Sequence, residues 1–213
     1  MSLVDWIYPK ICVGCGRGGE YICFDCQSKL RAPEAICPMC CKASLDGWVH
    51  PRCRKSSGME RLIVGLPYRG MAQECLKKVK YKSSWEIIKF LYGLCSFPQI
   101  EESMVTSVPM WKQKERERGF NQAKILAQLL GNNVDLLERV RETKAMFGLD
   151  RQERRKNIVG AFAISKQLTA NGLQQNRVVL VDDVWTTGAT MRECVKVLKK
   201  AGVGEVWGVT LAR

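Results

Sequence analysis

Residues 178–190 read VVLVDDVWTTGAT, and this stretch decides the fold. Its first four residues are apolar and mostly β-branched, as in a strand buried within a parallel sheet. A short polar turn follows, and the next apolar residues lie at helical spacing: Met191, Cys194, Val195 and Leu198. A buried strand that turns directly into a helix predicts an open α/β sheet, with the ligand site at the carboxyl end of that strand.

The flanking segments supply the remaining elements of this sheet. Strands are predicted over 61–68, 104–108, 134–140 and 206–211, and helices over 72–81 and 121–131. Asn121 is suited to cap the second of these helices and Gly131 to end it, while Gly202 ends the helix that follows the polar turn. The β–α–β order predicts parallel strands joined by right-handed crossovers.

The chain is basic, with 34 lysine and arginine residues against 21 acids and a net charge of +13. Most of the excess lies in residues 61–213, which hold 26 basic and 15 acidic side chains. Such a balance favours polyanionic partners, either phosphates or nucleic acid, and the alternative is an ordinary solvated surface. With 213 residues and 46% apolar content, the chain can bury one α/β core and a small extra module.

The polar turn combines groups that suit a sugar phosphate. Gly188 lets the backbone approach a ligand closely, and the N–H groups at the start of a helix favour an anion. Three hydroxyls add hydrogen-bonding capacity: Thr186, Thr187 and Thr190. Asp182 and Asp183 are costly to hold close together unless a sugar diol and a nearby divalent cation compensate. A capped helix after an acidic turn explains any one of these residues but not the whole string.

The string resembles the motif that binds phosphoribosyl diphosphate (PRPP) in type I phosphoribosyltransferases. The resemblance implies their fold, a parallel sheet flanked by helices, and a Mg²⁺-dependent transfer in which pyrophosphate leaves the anomeric carbon. Asp182 and Asp183 would be the catalytic acid pair that holds the ribose hydroxyls. The 5-phosphate would lie in the loop formed by Thr186, Thr187, Gly188, Ala189 and Thr190.

Further segments resemble the ComF (competence protein F) branch of these proteins. They are Val108-Pro109, the run RERGFNQ at 116–122, and Leu149, Arg154, Asn157, Ala161 and Phe162. The resemblance covers nearly the whole chain and implies a role with single-stranded DNA and the DNA-uptake machinery. Met146 departs from the family pattern, which has glutamine there, and this changes one polar contact of its loop.

Two groups of arginines are candidates for binding phosphates. Arg116 and Arg118 follow a predicted strand and can meet the diphosphate of PRPP through bidentate guanidinium geometry. The second group consists of Arg151, Arg154, Arg155 and Lys156. It is denser than one small substrate needs, and we interpret it as a groove for a nucleic-acid backbone. A solvated loop of alternating charge is the alternative for the first group.

Eight of the eleven cysteines lie before residue 58, mostly in C-x2-C pairs. Seven of them and one histidine form two sets of four ligands: Cys12, Cys15, Cys23 and Cys26, then Cys37, Cys40, His50 and Cys53. Zinc prefers such ligands, and closed sets of four indicate structural metal. We therefore predict a double zinc ribbon over 1–57, with two zinc ions, and a phosphoribosyltransferase domain over 58–213. Cys41 is an alternative to Cys40 as a ligand.

The remaining cysteines, Cys75, Cys95 and Cys194, stand among apolar residues and are predicted to be core residues rather than nucleophiles. The odd cysteine count and an opening segment too short in apolar residues for a signal peptide favour a cytoplasmic protein. No stretch of the sequence is long and apolar enough to predict an integral membrane segment.

The leading hypothesis is a ComF-type, phosphoribosyltransferase-like protein that binds PRPP with Mg²⁺ and handles single-stranded DNA during DNA uptake (competence). Two alternatives stay open: a nucleic-acid-binding adaptor with a catalytically idle PRPP pocket, and a nucleotide-salvage phosphoribosyltransferase. An intact acid pair and loop favour PRPP binding but do not establish turnover. The sequence names no second substrate.

Overall fold

The computed structural model describes residues 10–55, 58–82, 85–100, 103–143, 150–166 and 177–213. Strands within these ranges are β1 Arg61–Leu66, β2 Ser103–Ser107, β3 Leu137–Arg139, β4 Phe162–Ile164, β5 Arg177–Val184 and β6 Glu205–Ala212. The main sheet is parallel throughout, in the order β1-β6-β5-β2. The predicted parallel α/β sheet is confirmed.

Helices cover both faces of this sheet. The helices of the described ranges are α1 Phe24–Gln27, α2 Gly70–Lys82, α3 Trp85–Gly93, α4 Lys112–Arg118, α5 Gln122–Leu130, α6 Arg151–Ile158 and α7 Ala189–Lys200. The predicted cap of α5 is present, since the Asn121 side chain accepts a hydrogen bond from the Ala123 N–H at 3.0 Å. Across the described ranges, no helix combines the length and apolar character that crossing a membrane requires.

Alternate residues of β5 build the two faces of the sheet. Val179 and Val181 belong to a core shared with α2, α3 and α5, whereas Val178 and Leu180 belong to a core shared with α7. All four side chains are fully buried. Because neither face of β5 meets water, this position in the sheet requires an uninterrupted apolar run. The end of β5 is therefore held from both sides.

The segment predicted as a strand over 134–140 leaves the main sheet. Asn133 makes one parallel bridge to Val105, and the chain then turns away. Only β3 is a strand, and it pairs antiparallel with β4 in a separate two-stranded sheet. The predicted strand over 134–140 is therefore shorter than expected and lies outside the main sheet. An apolar pattern indicates extended backbone but does not specify which strand it pairs with.

The cysteine-rich segment over 10–55, called the head below, packs against both faces of the main sheet. Ile22 joins the core on the face of α2 and α3, while Ile36 joins the core on the face of α7. Trp48 meets the ring of Trp207 edge-on, with 5.4 Å between ring centroids. The predicted division after residue 57 falls beside residues outside the described ranges, and it stays a prediction.

A buried ion pair joins the start of β1 to the end of α7. Lys199 Nζ lies 2.6 Å from Glu60 Oε1, and the side chains are only 8% and 18% exposed. The other oxygen of Glu60 accepts from the Val206 N–H at 2.7 Å. Glu60→Gln would leave a buried ammonium without its counter-charge, so we expect unfolding free energy to fall by about 2 kcal/mol in urea titrations.

The control for this variant is Glu74→Gln. Glu74 pairs with Lys77 on α2, and both side chains are about half exposed. An exposed pair of this kind contributes less than about 1 kcal/mol. Equal effects of the two substitutions would contradict the importance of burial at Glu60.

Candidate functional site

The turn between β5 and α7 is built on the ring of Trp185. Gly188 has a φ of +71°, and a Cβ at this position would fall inside the van der Waals radius of that ring. Trp185 is 2% exposed, and its backbone N–H donates to the Ala212 carbonyl at 2.8 Å. Glycine is thus required by both backbone conformation and space, and the start of α7 is held against the sheet.

The turn directs several polar groups at one small cavity. The Ala189 N–H donates to Thr187 Oγ1 at 3.4 Å, and the N-cap residue of α7, Gly188, has no side chain with which to cap the helix. Arg154 Nη1 donates to Thr186 Oγ1 at 3.3 Å. The cavity is lined by Arg154, Asp182 and residues 184–191. Helix N-terminal amides, hydroxyls and a guanidinium together make an anion-binding site.

The two acids differ in their relation to this cavity. β5 continues through Val184, so Asp182 and Asp183 are successive strand residues and project to opposite faces. Asp182 lines the cavity, whereas Asp183 is half-buried beside it. The backbone N–H of the following residue donates to Oδ1 of each acid, at 2.9 Å for Asp182 and 2.7 Å for Asp183. Both carboxylates are therefore oriented by the backbone.

Arg139 is a candidate site residue that no sequence motif singled out. Burial lowers the pKa of its guanidinium, and the negative charge of the Asp182 carboxylate opposes that shift. Its Nη2 donates to Thr143 Oγ1, and its Nε has no hydrogen-bond partner within the described part of the chain. The charge of this half-buried guanidinium therefore interacts favourably with the Asp182 carboxylate.

Arg154 is a second candidate site residue, and the sequence placed it elsewhere. It lies in α6, where the Asp150 side chain accepts from the N–H groups of Gln152 and Glu153, and Glu153 completes a capping box. The dense basic run is thus divided: Arg154 reaches the phosphate loop, while Arg155 and Lys156 are exposed. The capping box was the available signal, since it fixes where α6 begins.

Arg116 and Arg118, predicted to meet a diphosphate, lie on α4. Arg116 is exposed and lines an open cleft with Lys112, Glu115 and Gly119. Arg118 Nη1 donates to Gln122 Oε1 at 3.0 Å. This cleft shares no lining residue with the cavity of the Trp185 turn, so Arg116 and Arg154 line two separate cavities.

The head brings all eight predicted metal ligands together in two groups. The groups are Cys12, Cys15, Cys23 and Cys26, and Cys37, Cys40, His50 and Cys53. Ligand atoms within each group all lie within 4.8 Å of one another. Each group can hold a metal ion, and four sulfur or nitrogen ligands with no open position suit structural zinc.

His50 shows how the second group is prepared for metal. Its Nδ1 lies 3.4 Å from Cys40 Sγ, and its Nε2 lies 3.0 Å from the Ala43 carbonyl oxygen. An Nε2–H that donates to a carbonyl leaves Nδ1 unprotonated, as a ligand must be. The chemistry of this donor set fits zinc.

Cys41 lies outside the second group, so the geometry favours Cys40 as the ligand. Cys41 has a φ of +60°, and its Sγ lies 3.1 Å from Arg192 Nη2. Of the predicted core cysteines, Cys75 and Cys194 are buried, whereas Cys95 is partly buried against the same core as Cys75. Burial raises the pKa of Cys75 to about 11 and that of Cys95 to about 12, and it holds the pKa of Cys194 far above its usual range. None of these three is a thiolate at neutral pH.

Comparisons with known proteins match this architecture. The family model described as phosphoribosyl transferase domain matches residues 116–213. Competence protein F of Haemophilus influenzae is 38% identical to this chain. The match covers 51% of this chain and 50% of the relative's own length, so this chain spans about half of that protein. DNA utilization protein YhgH of Escherichia coli K12 is 27% identical over 93% of this chain and 96% of its own. Competence protein ComFC of Bacillus subtilis is 27% identical over 91% of this chain and 85% of the relative's own length.

Metal analysis tests the two ligand groups. Purified without chelator, the protein should carry about two zinc ions, and Cys40→Ser should lose about one of them because it opens the second group. Cys41→Ser is the matched control and should keep both. Loss of zinc from the Cys41 variant but not from the Cys40 variant would reverse the ligand assignment.

Proposed function

We propose that the chain is a ComF-type (competence protein F) protein that binds PRPP with Mg²⁺ at the end of β5 and handles single-stranded DNA during DNA uptake. The observation that carries the PRPP part is the loop 186–190, held on the Trp185 ring immediately after an acid pair. The names of the relatives, competence protein and DNA utilization protein, support the DNA part.

Each part of PRPP has a counterpart among the residues of this proposal. The 5-phosphate would bind the loop 186–190 and the guanidinium of Arg154. The ribose hydroxyls would bind the acid pair Asp182 and Asp183, with Asp182, which lines the cavity, as the principal partner. Arg116 and Arg118 on α4 would bind the diphosphate. Bound Mg²⁺ would neutralise charge on the diphosphate leaving group while Asp182 and Asp183 hold the sugar.

Transfer, if it occurs, breaks the bond from C1 of the ribose to the diphosphate oxygen, and that bond's electron pair leaves with pyrophosphate. A nucleophile forms the new bond to C1 and loses its proton to solvent. Asp182, fixed by its backbone hydrogen bond, would hold the sugar in place during this exchange. Pyrophosphate release in the presence of bases, amines or oligonucleotides separates an enzyme from an adaptor with an idle pocket.

The DNA part of the proposal depends on the basic surface next to the site. Residues 61–213 carry an excess of 11 positive charges, from 26 basic and 15 acidic side chains. Arg155 and Lys156 are exposed on the same helix whose Arg154 reaches the phosphate loop. A single strand following this helix would pass beside the PRPP cavity.

Calorimetry with PRPP and Mg²⁺ tests the first part. The parent should bind, and Asp182→Asn with Asp183→Asn should weaken binding with little change in thermal stability. Arg154→Ala should weaken it roughly tenfold or more, because this variant cannot make a charge-assisted hydrogen bond to the phosphate. Arg155→Ala, one residue further on α6, is the matched control and should bind like the parent. A parent that does not bind PRPP would refute this part of the proposal.

Salt dependence tests the second part. Affinity for a single-stranded oligonucleotide should fall steeply with salt, and Arg155→Ala with Lys156→Ala should reduce the slope by roughly 0.7 for each phosphate that the variant no longer neutralises. Lys77→Ala with Lys124→Ala removes the same charge from exposed pairs away from α6 and should leave the slope nearly unchanged. Equal effects of both double variants would mean that net charge, not α6, binds the strand.

A further inference from the structure

Arg192 joins the cysteine-rich head to the phosphate loop. It lies in the first turn of α7, and its half-buried side chain extends toward the head. Four contacts hold it: Nε donates to the Pro38 carbonyl at 2.8 Å, Nη1 to the Thr187 carbonyl at 2.7 Å, Nη2 to Cys41 Sγ at 3.1 Å, and the guanidinium lies 5.0 Å from the centre of the Trp185 ring.

The head end of this connection belongs to the second ligand group. Pro38 follows the ligand Cys37, and Cys41 follows the ligand Cys40. The backbone between them is closed by hydrogen bonds from the Cys41 N–H to the Cys37 carbonyl and from the Cys37 N–H to the Lys42 carbonyl, both at 2.9 Å. The short turn that supplies two metal ligands therefore also supplies two acceptors for Arg192.

The other end controls a single peptide unit of the loop. The Thr187 carbonyl and the Gly188 N–H belong to the same planar peptide group, in which C=O and N–H point in opposite directions. Because Arg192 holds the carbonyl on one side, the Gly188 N–H is directed to the other. Gly188 lines the cavity described above, so this N–H is one of the donors that an anion there would meet.

We propose that Arg192 is a positioning residue that sets the Thr187–Gly188 peptide for phosphate binding and makes its orientation depend on the folded second ligand group. The ligand side of this inference rests on the proposed function. Guanidinium geometry is essential to it, since Arg192 donates to three acceptors at once while its flat face covers Trp185. A lysine ammonium at this position cannot reproduce that fork.

Hydrogen–deuterium exchange of the amides at 184–191, measured without ligand, tests the positioning role directly. Arg192→Gln should raise exchange in this segment roughly tenfold, since it removes hydrogen bonds from a charged group, while zinc content stays at the parent's level. Arg192→Lys should restore only part of the protection. Lys196→Gln, at an exposed residue one turn further along α7, is the control and should exchange like the parent.

Two further variants test the connection to the head. Cys41→Gly removes the thiol that Arg192 contacts and suits the positive φ, so it should raise loop exchange moderately and keep both metal ions. Cys53→Ser opens the second ligand group and should raise loop exchange in the parent, but should add little to Arg192→Gln. Cys15→Ser, which opens the first group, should leave the loop protected.

Parent-like exchange in Arg192→Gln would overturn the proposal, as would effects of Cys53→Ser and Arg192→Gln that simply add. A global rise in exchange together with a lowered melting temperature would show that Arg192 only stabilises the fold, and it too would count against the proposal. Because exchange is measured without ligand, failure of PRPP binding in the parent refutes the proposed function but leaves this test intact. If the parent binds PRPP, Arg192→Gln should bind it more weakly and Lys196→Gln equally well.

Discussion

The contact between Gly188 and the ring of Trp185 constrains the rest of the site. No side chain fits at Gly188, and its φ of +71° favours glycine as well. Trp185 is fixed in turn by its backbone hydrogen bond to Ala212 on β6 and by burial. The end of β5, the ring and the start of α7 therefore form one unit, and its N–H groups are oriented before any ligand arrives. Donors that are already in place cost little to order on binding.

The head is part of this unit and not a separate appendage. Its two halves pack on opposite faces of the main sheet, through Ile22 on one side and Ile36 on the other. A four-stranded sheet has little apolar surface of its own to spare, and structural metal lets a short cysteine-rich segment hold its shape without a large core. The second ligand group then lies close enough to the phosphate loop for Arg192 to contact both.

The sequence was informative where structure is local and periodic. The apolar run of β5 and the one-sided helix α7 were predicted because burial on both faces, or on one, leaves a distinct pattern. Helix α4, with the sequence KQKERER, and helix α6, with RQERRKNI, have almost no apolar face, so periodicity could not find them. The capping box at Asp150 and Glu153 was the one local signal for α6.

The candidate site was predictable only in its continuous part. The loop 186–190 stands in one stretch with its acid pair, whereas Arg154 meets Thr186 across 32 residues of chain. Arg139 lies on β3, which leaves the main sheet to pair with β4, and no pattern in its own segment indicates that departure. The sequence could not distinguish Cys40 from Cys41 as the ligand, because the two residues are adjacent and identical. In the structure, Cys40 lies with the other ligands and Cys41 has a φ of +60°.

If both proposed ligands bind, helix α6 couples the binding of PRPP to the binding of DNA. Arg154 faces the phosphate loop while Arg155 and Lys156 face solvent, so one rigid helix carries the contacts to both ligands. Any shift of α6 that a bound strand favours alters the position of Arg154, and a phosphate that fixes Arg154 alters how α6 presents its exposed cations. Equilibrium coupling of this kind is reciprocal, so PRPP must change affinity for DNA by the same factor that DNA changes affinity for PRPP. An adaptor with an idle pocket and an enzyme acting during DNA uptake would both show this coupling, because it arises from the shared helix and not from turnover.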